Sequence, residues 1–171
     1  TDDKRLFMVE DKNDAGRMCE RMEISEQDLL LALDRYMQKN DLTFRRFYHK
    51  KFHMYFFEMR QPLDEKHFIK LCLGLKENQI RKIELYCFFS FRLSDYFYST
   101  NAIWHFINQL HISNRIGAYG LDDKGFLFCR YTHYVERKYF SPVTPMLCLF
   151  DLFEEGEEVF RLCQAEAGVF V

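Results

Sequence analysis

Residues 82–91 read KIELYCFFSF, and their alternation decides the fold. In an extended chain Leu85, Cys87, Phe89 and Phe91 fall on one side, and Glu84, Tyr86, Phe88 and Ser90 on the other. Side chains two apart share a face of a strand, so this stretch predicts a strand with one wholly apolar side. Residues 66–75, KHFIKLCLGL, alternate in the same way, with His67, Ile69, Leu71, Leu73 and Leu75 set against Lys66, Phe68, Lys70, Cys72 and Gly74. Residues 52–59, FHMYFFEM, carry no helical stripe and are dense in strand-favouring residues. Joined by RQPLDE and KENQ, the three runs predict an antiparallel meander.

Upstream, ISEQDLLLALDRYMQKN (24–40) predicts a helix. Ser25 suits the N-cap, with Asp28 three residues on as a variant capping box. Leu29, Leu30, Leu33, Tyr36 and Met37 make its apolar stripe, and Asn40-Asp41 ends it. Residues 1–23 are rich in charge around one apolar knot, LFMV, and are expected to form a mobile arm with a single helical turn near Met18. Downstream, STNAIWHFINQLHISN (99–114) predicts a second helix, capped by Ser99 or Thr100, with Ile103, Trp104, Ile107 and Leu110 on its inner face. A hairpin follows over 115–135, its DDKG turn placing Gly125 where a positive φ is needed. A last helix is expected with Thr144 as cap, Pro145 in first position and Met146, Leu149, Phe150, Phe153 and Phe160 as its apolar residues. Gly156 is expected to weaken or divide it.

Strands and helices mixed without strict alternation mean an α+β fold. The expectation is an antiparallel sheet of about five strands, a three-stranded meander plus a hairpin, packed with about three helices. Residues 24–171 form one domain, a length that suits a substantial core. One face of the sheet takes the helices, and the other meets solvent, a ligand or a second subunit. Leu85, Cys87, Phe89 and Phe91 are assigned to the helix side. Tyr86 and Phe88 share the opposite side with Glu84, Ser90 and Arg92, and are the candidate partner surface.

The chain is 48% hydrophobic, 29% charged and 18% aromatic, with 19 Phe and 10 Tyr. A net charge of −2 and a pI near 6.3 argue against a generic nucleic-acid binder. One basic cluster stands out, Arg45, Arg46, Lys50 and Lys51 with His49 and His53; it reads as a phosphate-contacting strand pair or as a solvated hairpin on a sheet edge. The six cysteines include no C-x-x-C pair, and four lie in apolar runs such as IKLCLGL, so they read as buried free thiols in a reducing compartment. No apolar run reaches the roughly 18 to 20 residues that span a bilayer, and the expected location is the cytoplasm.

The spacings carry no catalytic signature. On a strand, Cys129 and His133 stand about 13 Å apart, too far to share one zinc ion. His49 and His53 fall in strand or turn, and His105 and His111 have no acidic partner by spacing. There is no Walker sequence, G-x-G-x-x-G, H-E-x-x-H or nucleophile elbow. The acidic run FEEGEEVF lacks the oxygen spacing of a calcium loop and reads as the solvated side of the last helix. No enzyme, cofactor or metal site is expected.

The order of helix, meander, helix, hairpin and helix resembles the YbjN-like group within the type III secretion chaperone-like fold. The resemblance is best over about 95 to 163, where Asn108, Asn114, Asp122 and Gly125 are the matching positions. It implies a non-enzymatic, often dimeric scaffold that binds another polypeptide or modulates signalling. The function expected is a protein-interaction module, chaperone-like or regulatory, binding a protein partner or a second copy of itself through its aromatic sheet face. The alternative is an apolar-ligand domain in which the sheet curls and its rings line a pocket. Nucleic acid on residues 44–57 is less expected.

Overall fold

The computed structural model describes residues 25–77, 82–113, 115–135 and 141–169. The charged arm, the turn near Met18, Cys19 and Asn114 lie outside the described residues. The elements are α1 (Glu26–Lys39), β1 (Arg45–His49), β2 (Met54–Pro62), β3 (Phe68–Lys76), β4 (Lys82–Arg92), α2 (Thr100–Ile112), β5 (Ala118–Leu121), β6 (Phe126–Tyr134) and α3 (Val143–Val169). They form an α+β fold with one antiparallel sheet of six strands in the order β1-β2-β3-β4-β6-β5.

The sheet has one strand more than the alternation predicted. Residues 45–49, in the basic cluster that reads as a strand pair or an edge hairpin, form the edge strand and pair with β2, so that Phe47 faces Phe56 and Tyr48 faces Tyr55. Those ring pairs, 5.4 and 4.9 Å between centroids, give a five-residue strand enough cross-strand contact to hold. The turn between the two strands places His53 at φ 51°.

In the middle of the sheet the register sets Leu71 opposite Cys87 and Leu73 opposite Leu85. β6 continues it, with Cys87 opposite Cys129. Phe57, Leu71, Leu73, Leu85, Cys87 and Leu127 are fully buried on this side, in one cluster with α1, α2 and α3. α1 starts where Ser25 Oγ accepts the Asp28 N–H at 3.1 Å, which satisfies one of its orphan donors. It contributes Leu29, Leu30, Leu33 and Met37 to the core, and Asp41 at φ 53° turns the chain away after it. At the far edge, His111 Nε2 accepts the Tyr119 N–H of β5 at 2.9 Å, so part of that edge is closed by α2. The β5–β6 turn is as expected: Gly125 takes φ 84°, and Asp122 accepts from the N–H groups of Lys124 and Phe126.

Three expectations for the helices need correction. α3 begins at Val143, not Pro145: Met146 N–H donates to Pro142 O, and Ser141 Oγ accepts from the Val143 N–H. Pro145 is harmless inside the first turn because an N–H there has no helical partner to lose. Gly156 does not divide α3, which runs unbroken for 27 residues. A Cβ at Gly156 would stand 2.8 Å from Ile69 Cδ1 and 3.2 Å from Phe89 Cζ, so the glycine is where helix meets sheet most closely. Trp104 is 50% exposed; Phe106 takes its place in the core, 4.8 Å from Phe97. Residues 103, 106, 107 and 110 have the spacing of one helical face, and Trp104 stands one step off it.

The two sides of β4 differ in energy. Phe89 is 3% exposed and Phe88 is 37% exposed. Phe89→Ala is expected to cost about 3–5 kcal/mol, a fall of roughly 6–20 °C in Tm for a chain of this size. Phe88→Ala should stay within about 1 kcal/mol. Thermal melts followed by circular dichroism check this, and equal losses would mean that both faces are buried within one subunit.

Candidate functional site

The side of the sheet away from the helices is built from alternate residues of β1, β2, β3, β4 and β6. Its best-shielded side chains, Met54 and Cys72, are buried yet lie outside the cluster that joins sheet and helices. Among the described residues, no helix packs on this face. Tyr86 and Phe88 are at its middle, stacked on each other at 5.3 Å and 12°. The contacts Phe47–Phe56 (5.4 Å), Phe56–Tyr86 (6.4 Å) and Phe88–Phe128 (6.5 Å) extend them into a belt across the strands. The belt crosses β3 at Gly74, where a Cβ would come within 2.9 Å of Phe56 Cε1. At β5 the Phe128 ring covers Gly120 in the same way, its Cζ 2.9 Å from where a Cβ would be. Two glycines thus let two rings pack close against the sheet.

Cations border the belt. Arg60 lies 3.5 Å above the Phe68 ring, Arg45 4.7 Å from Phe47 and Arg92 4.9 Å from Phe126, all within cation–π range. Arg45 also pairs with Glu58 at 3.3 Å. Glu84 accepts a hydrogen bond from Thr132 Oγ1 at 2.8 Å. Burial, followed by the nearby Glu84, raises the Tyr86 phenol above its usual range, with Arg130 opposing.

The structure does not gather the four candidate basic residues into one patch. Arg45 and Arg46 are neighbours on a strand and so point to opposite faces. Arg45 joins the ring belt, whereas Arg46 pairs with Asp34 of α1 on the helix side. Lys50 and Lys51 are exposed in the β1–β2 turn, with Lys51 5.7 Å from the Phe52 ring. Among the described residues, a cavity of about 440 Å³ lies between α2 and the end of α3, among Phe97, Phe106, Leu110, Leu162, Arg115 and Glu166, and the belt rings do not line it.

Two groups of polar residues went unrecognised in the sequence. In the β2–β3 turn Asp64 accepts from the N–H groups of Lys66 and His67 and meets His67 Nδ1 at 2.9 Å. The contact with His67 holds the Asp64 carboxyl below its usual range. The spacing Asp-x-x-His after a proline was the available signal. The His67 ring packs on Phe160 at 5.1 Å. The Cys163 thiol, one turn further along α3, is pushed up to about 12 by burial and stays protonated near neutrality. Burial likewise pushes Cys72 and Cys129 up to about 12. The five described cysteines are free thiols, and no three metal-ligating side chains cluster among the described residues.

The second group overturns part of the reading of FEEGEEVF. Glu154 and Glu158 are exposed, but Glu155 turns inward toward β5 and β6. Both of its carboxylate oxygens, like the Tyr119 hydroxyl, are shielded from water, and the Tyr119 hydroxyl and the Gly117 N–H face the carboxylate. Burial raises the Glu155 carboxyl above its usual range, with the Arg115 guanidinium opposing. Arg115 is itself committed to Glu158, through two contacts at 3.0 and 3.3 Å.

This carries a pH dependence of definite sign. A carboxyl raised on folding holds its proton to higher pH in the folded than in the unfolded chain, so stability falls as pH rises through that window. Glu155→Gln should therefore stabilise the protein at neutral pH. The gain should shrink as pH falls and vanish below about 4, where the unfolded chain is protonated as well. Urea denaturation of both proteins across pH 4 to 8 measures it; a gain that does not change with pH would contradict the assignment. No family model matches this chain, and no curated protein matches it.

Proposed function

We propose that this protein is a non-enzymatic docking module whose working surface is the open face of its sheet. The observation that carries the reading is the continuous belt Phe47–Phe56–Tyr86–Phe88–Phe128 on a face that no described helix covers. Aromatic rings offer large contact area with few rotors to freeze, which suits the capture of another macromolecule. Thiols held protonated at Cys72, Cys129 and Cys163 are poor nucleophiles, which weighs against a cysteine enzyme. The YbjN-like resemblance implies a scaffold role of the same kind. A second reading, small-ligand binding, is favoured by the 440 Å³ cavity between α2 and α3.

Retention from a lysate of the native cells separates the two readings. The baits are the wild-type chain, the double variant Tyr86→Ser/Phe88→Ser, and Leu162→Ser at the cavity rim, and both protein and nucleic acid are profiled. The expected result is a partner held by the wild type and Leu162→Ser and lost from the double variant. Retention by all three baits would sink the proposal, and loss from Leu162→Ser alone would move the function to the cavity.

A further inference from the structure

The chain's net charge of −2 averages two unlike surfaces. On the open face, β2 and β3 present Arg60, Lys70 and Lys76, while β1, β4 and β6 present Arg45, Lys82, Arg92 and Arg130. The only carboxylates at strand positions of that face, among the described residues, are Glu58 and Glu84. On the opposite side of the sheet α3 has the reverse balance: Asp151, Glu154, Glu155, Glu157, Glu158 and Glu166 against Arg161. A face that concentrates positive charge in an acidic protein is complementary to a polyanion.

The rings narrow the choice of polyanion. Phe56 and Phe128 pack over Gly74 and Gly120, where no side chain competes for the space, and stay partly open to solvent. Phe88 is the most exposed ring of the belt, at 37%. A partly exposed ring is a platform for another flat group, and unpaired bases supply such groups along a phosphate backbone. An acidic peptide would use the cations and leave the platforms idle. A purely apolar partner would use the rings and strip water from cations it cannot pair. A duplex keeps its bases stacked out of reach. Single-stranded nucleic acid uses both features along its whole length.

On these grounds, and resting on the reading of this face as the working surface, we propose that the open face binds single-stranded nucleic acid. Bases stack on Phe56, Tyr86, Phe88 and Phe128, and phosphates meet the bordering Arg and Lys side chains. The commitment is to RNA or DNA strands as a chemical class, since both offer the same bases and phosphates.

Fluorescence anisotropy on the full chain tests it, with labelled single strands of RNA and of DNA of about 12 nucleotides, in the range one binding fold holds. A duplex and a polyglutamate peptide serve as comparisons. Binding is expected at low salt, stronger for single strands than for the duplex or the peptide, with the two sugars ranking the source. Its logarithm should fall linearly with log salt, by about 0.7 per phosphate contact. Phe88→Ala should weaken binding roughly 5- to 150-fold at every salt concentration while leaving the slope unchanged, as loss of one stacked base does. Lys82→Gln and Arg130→Gln should flatten the slope, whereas Arg161→Gln on α3 should change nothing. Circular dichroism confirms that each variant is folded. Absence of binding at low salt would overturn the proposal, as would preference for polyglutamate, equal affinity for duplex, or an unchanged affinity in folded Phe88→Ala. If these fail while a protein is still retained by wild type and lost from Tyr86→Ser/Phe88→Ser, the docking face stands and only its occupant is wrong.

Discussion

The register that sets Leu73 opposite Leu85 and Leu71 opposite Cys87 is the constraint on which both surfaces of the sheet depend. A slip of one residue between β3 and β4 would send Leu85, Cys87 and Phe89 to the outside and bring Glu84 and Arg92 into the core. Burial of apolar side chains on one face therefore fixes the orientation of every ring and charge on the other. Tyr86 and Phe88 are presented together because Leu85, Cys87 and Phe89 are not free to be anywhere else. The packing of α3 depends on the same choice, since Gly156 meets Ile69 and Phe89 on that face.

α3 shows what close approach brings with it. A helix seated so near the sheet carries its neighbouring side chains inward, and Glu155 is carried with them toward Tyr119 and Cys129. Gly117 is tight in the same corner, where a Cβ would overlap Cys129 Sγ. A carboxyl kept from water is an energetic liability even with polar groups beside it. Here the ion pair of Arg115 with Glu158 sits beside it and supplies some opposing field, from a guanidinium whose own side chain is 11% exposed.

Much of this was legible in the chain because it follows from local rules. The period of two in 66–75 and 82–91, the cap at Ser25 and the turn glycine at Gly125 each depend on residues adjacent in sequence, and each appears where the pattern placed it. What escaped depended on contact between distant segments. β1 has charges on both faces and only five residues, so alternation left it out of the strand count although its basic cluster read as a strand pair or an edge hairpin; its rings on β2 seat it in the sheet. Gly156 looked like a helix breaker because nothing in its own neighbourhood reveals Ile69 and Phe89 across the interface. The division of Arg45 from Arg46 was available from alternation, once the segment was known to be extended. Segregation of charge between the two faces was hidden in the total, because a sum over the chain carries no direction.

The strand order has a consequence for how the chain assembles. β1 to β4 pair in sequence, so each strand can add to its predecessor across a short connection. Among the described strands, the junction of β4 with β6 is the one pairing that skips a neighbour, and α2 and β5 intervene. Contacts between segments far apart in the chain form late because a longer loop must first be closed. Until residues 126–134 arrive, β4 is the bare edge of a four-stranded sheet, paired with β3 on one side and with its outer edge over Lys82–Phe88 unpaired. During synthesis this edge is the place where a second nascent chain can add a strand in error. The native hairpin of β5 and β6 closes it, so the same short element completes the fold and protects it from its own copies.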